Sequence, residues 1–145
     1  MIHKTVVLAC RPERAFALFT EQAGLWWPAE RRHTHDAAST IRIEATGRFF
    51  ERAGDGSEVE LGAVRLFEPA RRLLLDWYPG TGPENPTQLE VSFDAVDGGT
   101  RVTVRHSAGG AGAEVFARNA PAYLRSWALV LAALADQVSA PRLIR

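Results

Sequence analysis

The feature that most constrains this chain is a broad apolar stripe near its C-terminal end, over residues 114–138. Wound as a helix at about 100° per residue, the segment puts Phe116, Ala120, Tyr123, Trp127, Val130, Leu131, Leu134 and Val138 on one side. Glu114, Arg118, Arg125 and Asp136 fall opposite. A stripe that wide, carrying three aromatic rings, must be covered. Residues 39–107 read as strands, so the expected cover is a sheet. Pro121 leaves two readings open: a helix bent there, or one whose main part begins after Asn119.

The upstream text supports an α+β architecture. Residues 3–10 read as a first strand, stopped by Arg11-Pro12. Pro12 and Glu13 suit the first turn of a helix running through Thr20, with Ala15, Phe16, Leu18 and Phe19 as its apolar side. A second short helix is expected over residues 21–26, weakened by Gly24 and ended by Pro28. Residues 29–38, with Arg31, Arg32, His33, His35 and Asp36, show no period and read as an exposed connection.

From Ser39 the chain alternates. Ile41 and Ile43 open a strand, residues 47–52 form another, and Asp55-Gly56 turns into a third over residues 58–67. Leu73, Leu75 and Trp77 share one parity, as do Leu89, Val91 and Phe93, and then Val102, Val104 and His106. Pro79, Gly80, Gly82, Pro83 and Pro86 make a long turn between the first two of these sets. The pattern is an antiparallel meander with one dry and one wet face. In residues 59–67 the parity slips between Ala63 and Val64, which a bulge near Gly62 would reconcile.

Composition narrows the function classes. At 145 residues and 46% hydrophobic content, one domain spanning residues 1–145 is expected to bury a real core. Lys plus Arg and Asp plus Glu both number 17, so no global field favours nucleic acid or an anionic membrane. The single cysteine, Cys10, excludes an internal disulfide and suits the cytoplasm. The apolar run before Cys10 is too short for a signal peptide, and no segment is long enough to span a bilayer.

Few residues offer chemistry. His106 shares parity with Val102 and Val104 and is expected to point inward, where it can anchor a ligand oxygen, serve as an acid or base, or sit satisfied in the core. His33, His35 and Asp36 are metal-capable types, but they lie on a loop beside Arg31 and Arg32, so no metal site is expected. Gly109-Gly110-Ala111-Gly112 lacks the Lys-Ser/Thr pair of a phosphate loop and reads as a turn. Cys10 has no adjacent base and reads as a small apolar side chain.

Several pieces match a known pattern in order and spacing: Arg11-Pro12-Glu13-Arg14-Ala15-Phe16, Leu25-Trp26-Trp27-Pro28, Gly47-Arg48-Phe49-Phe50-Glu51, and Glu68-Pro69 through Arg71-Arg72-Leu73 to Trp77. Gly99-Thr100-Arg101-Val102 through His106, and Trp127 in the last helix, complete the set. On these the chain resembles the Bet v 1-like or START-like (SRPBCC) superfamily, and within it proteins similar to the C-terminal domain of the Hsp90 ATPase activator. The resemblance implies a helix-grip fold: a curved antiparallel sheet of about seven strands wrapped around a long C-terminal helix, with two short helices after the first strand. Such a sheet closes incompletely on its helix and leaves a cavity.

The expected function is therefore binding of a small apolar or amphipathic molecule in that cavity, with no cofactor. The residues expected to form the site are Trp26, Trp27, Trp77, Val91, Val104, His106, Tyr123, Trp127 and Val130. One alternative is a cyclase- or hydratase-like enzyme using His106, with Tyr123 as its polar partner. Another is a co-chaperone-like module. In the co-chaperone this domain follows an N-terminal Hsp90-binding domain, whereas this chain opens on the first strand, so Hsp90 is a less expected partner than a small ligand.

Overall fold

The computed structural model describes residues 1–79 and 82–139; Gly80 and Thr81 of the expected long turn, and residues 140–145, lie outside the described residues. Seven strands form one antiparallel sheet: β1 (Ile2–Leu8), β2 (Thr40–Ile43), β3 (Arg48–Arg52), β4 (Glu58–Glu68), β5 (Arg72–Trp77), β6 (Thr87–Val96) and β7 (Gly99–Ser107). Their order across the sheet is β1-β7-β6-β5-β4-β3-β2, so every neighbour except the β1-β7 pair is also a neighbour in sequence. The first strand thereby closes the edge that the last strand would expose. The sheet curls into a half-barrel around α2 (Ala113–Ser139), while α1 (Pro12–Phe19) packs over β6 and β7.

The stripe behaves as its spacing requires. Phe116, Trp127, Val130, Leu131, Leu134 and Val138 are buried against the sheet, and Glu114, Arg118, Arg125 and Asp136 face out. Pro121 lies inside one continuous α2 that already begins at Ala113, so the reading in which the helix starts after Asn119 is excluded. Proline has no N–H to give the Ala117 carbonyl, and that face of the turn is exposed to solvent.

The second short helix is only a 3-10 turn, Ala23–Leu25, with another over Ala29–Arg31. Gly24 fits there because the turn presses directly on the sheet backbone: a Cβ would sit 2.8 Å from the Ile41 amide nitrogen.

The bulge expected near Gly62 is present. Phe49 pairs with Gly62 and Phe50 with Glu60, so Leu61 is the extra residue, and Arg65 is extra in a second irregularity against β5. Gly62 is required there, since a Cβ would lie 2.3 Å from the Asp76 carbonyl oxygen and 2.9 Å from Phe49 Cδ2. The outer face carries exposed pairs such as Arg48 with Glu58 and Glu60, and Arg65 with Asp76, which keep it wet and add little stability.

Candidate functional site

Between the sheet and the middle of α2 lies a cavity of about 270 Å³. Its wall is aromatic. Phe49 stacks on Trp77 at 4.8 Å between ring centroids, Trp77 meets Trp127 at 5.2 Å, and Trp27 stands 6.3 Å from Trp77. The bulge places Leu61 on the same wall. From α2 come Asn119, Ala122, Tyr123, Ser126, Trp127 and Val130, and Pro79, Arg31 and His33 complete the boundary. Ala122 is exposed, so the cavity meets solvent beside it. Among the described residues no acidic side chain borders this space.

Of the residues expected to form the site, Trp27, Trp77, Tyr123, Trp127 and Val130 line the cavity, and Trp26, Val91, Val104 and His106 do not. Each of the latter has a physical reason to lie elsewhere. The Trp26 indole N–H donates to the Leu18 carbonyl at 2.7 Å, which turns its ring under α1 and Phe19. Val91 and Val104 face each other across the β6-β7 pair, fully buried in solid core.

His106 points inward as its parity requires, but it is enclosed. Trp127 Nε1–H donates to His106 Nδ1 at 3.1 Å. An indole can only donate, so the neutral ring keeps its proton on Nε2 and gives it to Thr87 Oγ1 at 2.7 Å. The Thr87 hydroxyl in turn donates to the Trp77 carbonyl at 2.7 Å. Phe116, Tyr123 and Trp77 pack around the imidazole, the nearest centroid, that of Tyr123, being 4.5 Å away. Burial lowers its pKa to about 4, so the ring is neutral near pH 7. Tyr123 is therefore a ring neighbour and not the hydrogen-bond partner of His106; its phenol is raised by burial and bonds Asn119. The partner missed in the sequence is Thr87. It lies two residues before Leu89, which pairs with His106, and so on the same face, but it follows Pro86 and looks like turn.

The connection over residues 29–38 also departs from expectation. Ala29, Glu30, His35, Ala37 and Ala38 are exposed as expected, but the segment between them is strapped down and Arg32 is buried. Glu51, fully buried on β3, accepts the His33 amide at 2.7 Å, the Thr34 amide at 3.1 Å, the Thr34 hydroxyl at 2.5 Å and the Ser39 hydroxyl at 2.8 Å. Burial raises the Glu51 carboxyl, but these bonds outweigh it and hold its pKa below the ordinary value. Arg32 completes the strap through the Ser39 carbonyl and hydroxyl, the Gly24 carbonyl and the Trp27 carbonyl, at 2.8–3.0 Å. Two consequences follow for the cavity. Trp27 is fixed from behind, and Arg31 and His33, on either side of Arg32, are carried to the cavity edge.

Asn119 and Ser126 were legible in principle, being four residues before and three after Tyr123 on one helix face. Cys10 is half-buried and its thiol is raised by burial, which disfavours a thiolate. Among the described residues no cluster of metal-ligating side chains is present, and no helix is long and apolar enough to cross a membrane.

A family model described as "Activator of Hsp90 ATPase homolog 1-like protein" matches residues 9–138. A search of curated proteins found no match. Among solved structures, the chain is similar to CalC, a self-sacrificing resistance protein from Micromonospora echinospora, with a TM-score of 0.73 and 22% identity over 99% of this chain and 97% of that one. It is also similar to a protein from Rhodobacter sphaeroides, with a TM-score of 0.67 and 20% identity over 97% and 92%. The protein Ms6760 from Mycobacterium smegmatis gives a TM-score of 0.67 and 13% identity over 97% and 91%. At these identities the structural likeness speaks for the fold alone.

Proposed function

The chain belongs to the activator of Hsp90 ATPase homolog 1-like family, and from that premise we propose that it binds a small apolar or amphipathic molecule in the hollow beneath α2. The observation that carries the reading is the space itself. Trp27, Phe49, Leu61, Trp77 and Trp127 converge on it without filling it. Well-packed interiors leave few voids larger than a water molecule, so an aromatic-lined hollow of about 270 Å³ has the character of a ligand site. Benzene occupies a dry cavity of about 150 Å³, which scales this guest to one or two rings or a ring with a short tail. Enclosing roughly 300 Å² of apolar surface at about 25 cal/mol per Å² gives about 7–8 kcal/mol before association costs, consistent with micromolar to millimolar binding.

The test is a panel of lipids, flavonoids and polyketide-like aromatics titrated into the full chain, followed by Trp fluorescence and amide NMR shifts. Members of the panel are expected to perturb Trp77 and Trp127. Ala122→Trp, a bulky group on an exposed helix position at the mouth, is expected to abolish those shifts while leaving the fold intact. Saturable binding that survives Ala122→Trp, or no binding by any member, would defeat the reading. A reaction using His106 draws no support from this arrangement, since both ring nitrogens are engaged and the ring does not border the cavity.

A further inference from the structure

Resting on the reading of the hollow as a ligand site, we infer that its guest is an anion, a carboxylate carried on a ring or short chain, and that Arg31 is the residue that takes the carboxylate. Three observations converge. First, Arg31 borders the cavity, and its Nε is buried with no hydrogen-bond partner. Among the described residues no ion pair, hydrogen bond or aromatic face engages any part of its guanidinium. The contrast with the other arginines whose buried Nε makes no hydrogen bond is direct: Arg32 spends its two Nη groups on four acceptors, and the Arg42 Nε lies 3.3 Å from a Glu44 carboxylate oxygen as an ion pair. Second, among the described residues no Asp or Glu borders the cavity, so none of them neutralises the charge of Arg31 from within. Third, His33 lines the same cavity with its backbone N–H held by Glu51 and, among the described residues, no partner on its ring, which adds a second polar group to the lining.

An unpaired cation at the edge of an apolar, aromatic hollow is costly to keep and strongly favours an anionic partner. Guanidinium and carboxylate match as two parallel N–H···O bonds, and desolvation by the surrounding rings strengthens the pair. The rest of the guest then lies on the aromatic wall of Phe49, Trp77 and Trp127. The arrangement thus prefers an amphipathic acid over a neutral molecule of equal size. It also explains the strap. A short connection carrying a free arginine would swing into solvent unless fastened on both sides, and Glu51 and Arg32 fasten it.

The experiment is calorimetric titration of the full chain with 2-naphthoate and with 2-naphthamide, which share a shape and differ in charge. Wild type is expected to bind the carboxylate about tenfold or more tightly than the amide, with the preference shrinking as NaCl is raised. Arg31→Gln is expected to lose that preference, carboxylate affinity falling to that of the amide, and Arg31→Lys to keep part of it, since a point charge remains without the planar fork. Equal binding of the two probes by wild type would overturn the anion assignment while leaving the cavity reading standing, and this outcome needs no variant. A preference that persists in folded Arg31→Gln would overturn the role of Arg31. If neither probe binds and the neutral panel also fails, the cavity reading falls and this inference with it.

Discussion

One histidine lines the cavity and another is packed among the rings behind it, and their surroundings have little in common. His106 lies on β7 with both nitrogens bonded, in a chain that runs from the Trp127 indole through the imidazole and the Thr87 hydroxyl to the Trp77 carbonyl. His33 lies on the strapped connection, its backbone held by Glu51 and its ring, like the Arg31 guanidinium, engaged by none of the described residues at the cavity edge. Pointing inward is therefore not what makes a polar side chain available. Completeness of its hydrogen bonds is: a saturated group such as His106 positions Trp77 and Trp127, and an unsaturated one such as Arg31 can meet a guest.

The sharpest way to break that contrast is to remove each fastening and compare. Glu51→Ala should have the largest effect, because it orphans the His33 and Thr34 amides and the Ser39 hydroxyl and leaves Arg32 without its nearby countercharge. A loss of about 3–4 kcal/mol is expected in urea unfolding, together with loss of ligand binding, since the edge bearing Arg31 is no longer held. His106→Leu follows at about 2–3 kcal/mol, as the Trp127 N–H is left buried without an acceptor and the Thr87 hydroxyl loses a donor. His33→Asn at the cavity edge should change stability by no more than about 0.5 kcal/mol. Equal costs for the two histidine variants would erase the distinction.

Acid should act on the two regions in sequence. The His106 pKa is lowered from its ordinary 6.5 to about 4, so the folded protein binds fewer protons than the unfolded chain between those values. The stability His106 contributes is present above pH 6.5 and is lost as pH falls toward about 4, by about 3 kcal/mol in total. Glu51 also has a lowered pKa, and its share is lost only below the ordinary carboxyl value of 4.5. Urea midpoints at pH 7, 5.5 and 4.5, taken on wild type and His106→Leu, separate the two. The wild-type loss in that range should be absent from the variant, and a variant with an undiminished loss would place the titration elsewhere.

What could be read before any coordinates follows the same division between local and distant causes. The stripe of α2, the meander, the bulge at Gly62 and the inward direction of His106 are consequences of spacing along one stretch of chain, and all appear. The strap was illegible because its acceptor, Glu51, lies on a strand whose alternation is hidden. Phe49 faces the cavity, yet Phe50 on the opposite face is just as buried, with the Arg48 guanidinium 3.8 Å from its ring centroid and that of Arg52 at 5.1 Å. Two adjacent buried rings erase the period that would have marked Glu51 as inward. Without it, Arg31, Arg32 and His33 read as a solvated run. Thr87 was lost for a similar reason, its strand parity masked by Pro86.

The smallest expected effect is also the most discriminating. Arg31→Gln removes a cation that no described group engages, so the folded state gives up no bond and is relieved of a partly desolvated charge. Its urea midpoint should match or slightly exceed that of wild type, within about 0.5 kcal/mol. A structural arginine behaves in the opposite way: Arg32→Gln, with four acceptors abandoned at once, should cost several-fold more. Placing the neighbours side by side tests the argument at single-residue resolution, because they are adjacent in the chain and share residue type and a buried Nε, while Arg32 is buried with its guanidinium bonded and Arg31 is half-buried with its guanidinium unengaged among the described residues. A destabilisation above about 1 kcal/mol in Arg31→Gln would mean that Arg31, like its neighbour, is part of the scaffold, and the cavity edge would then have no free charge to offer.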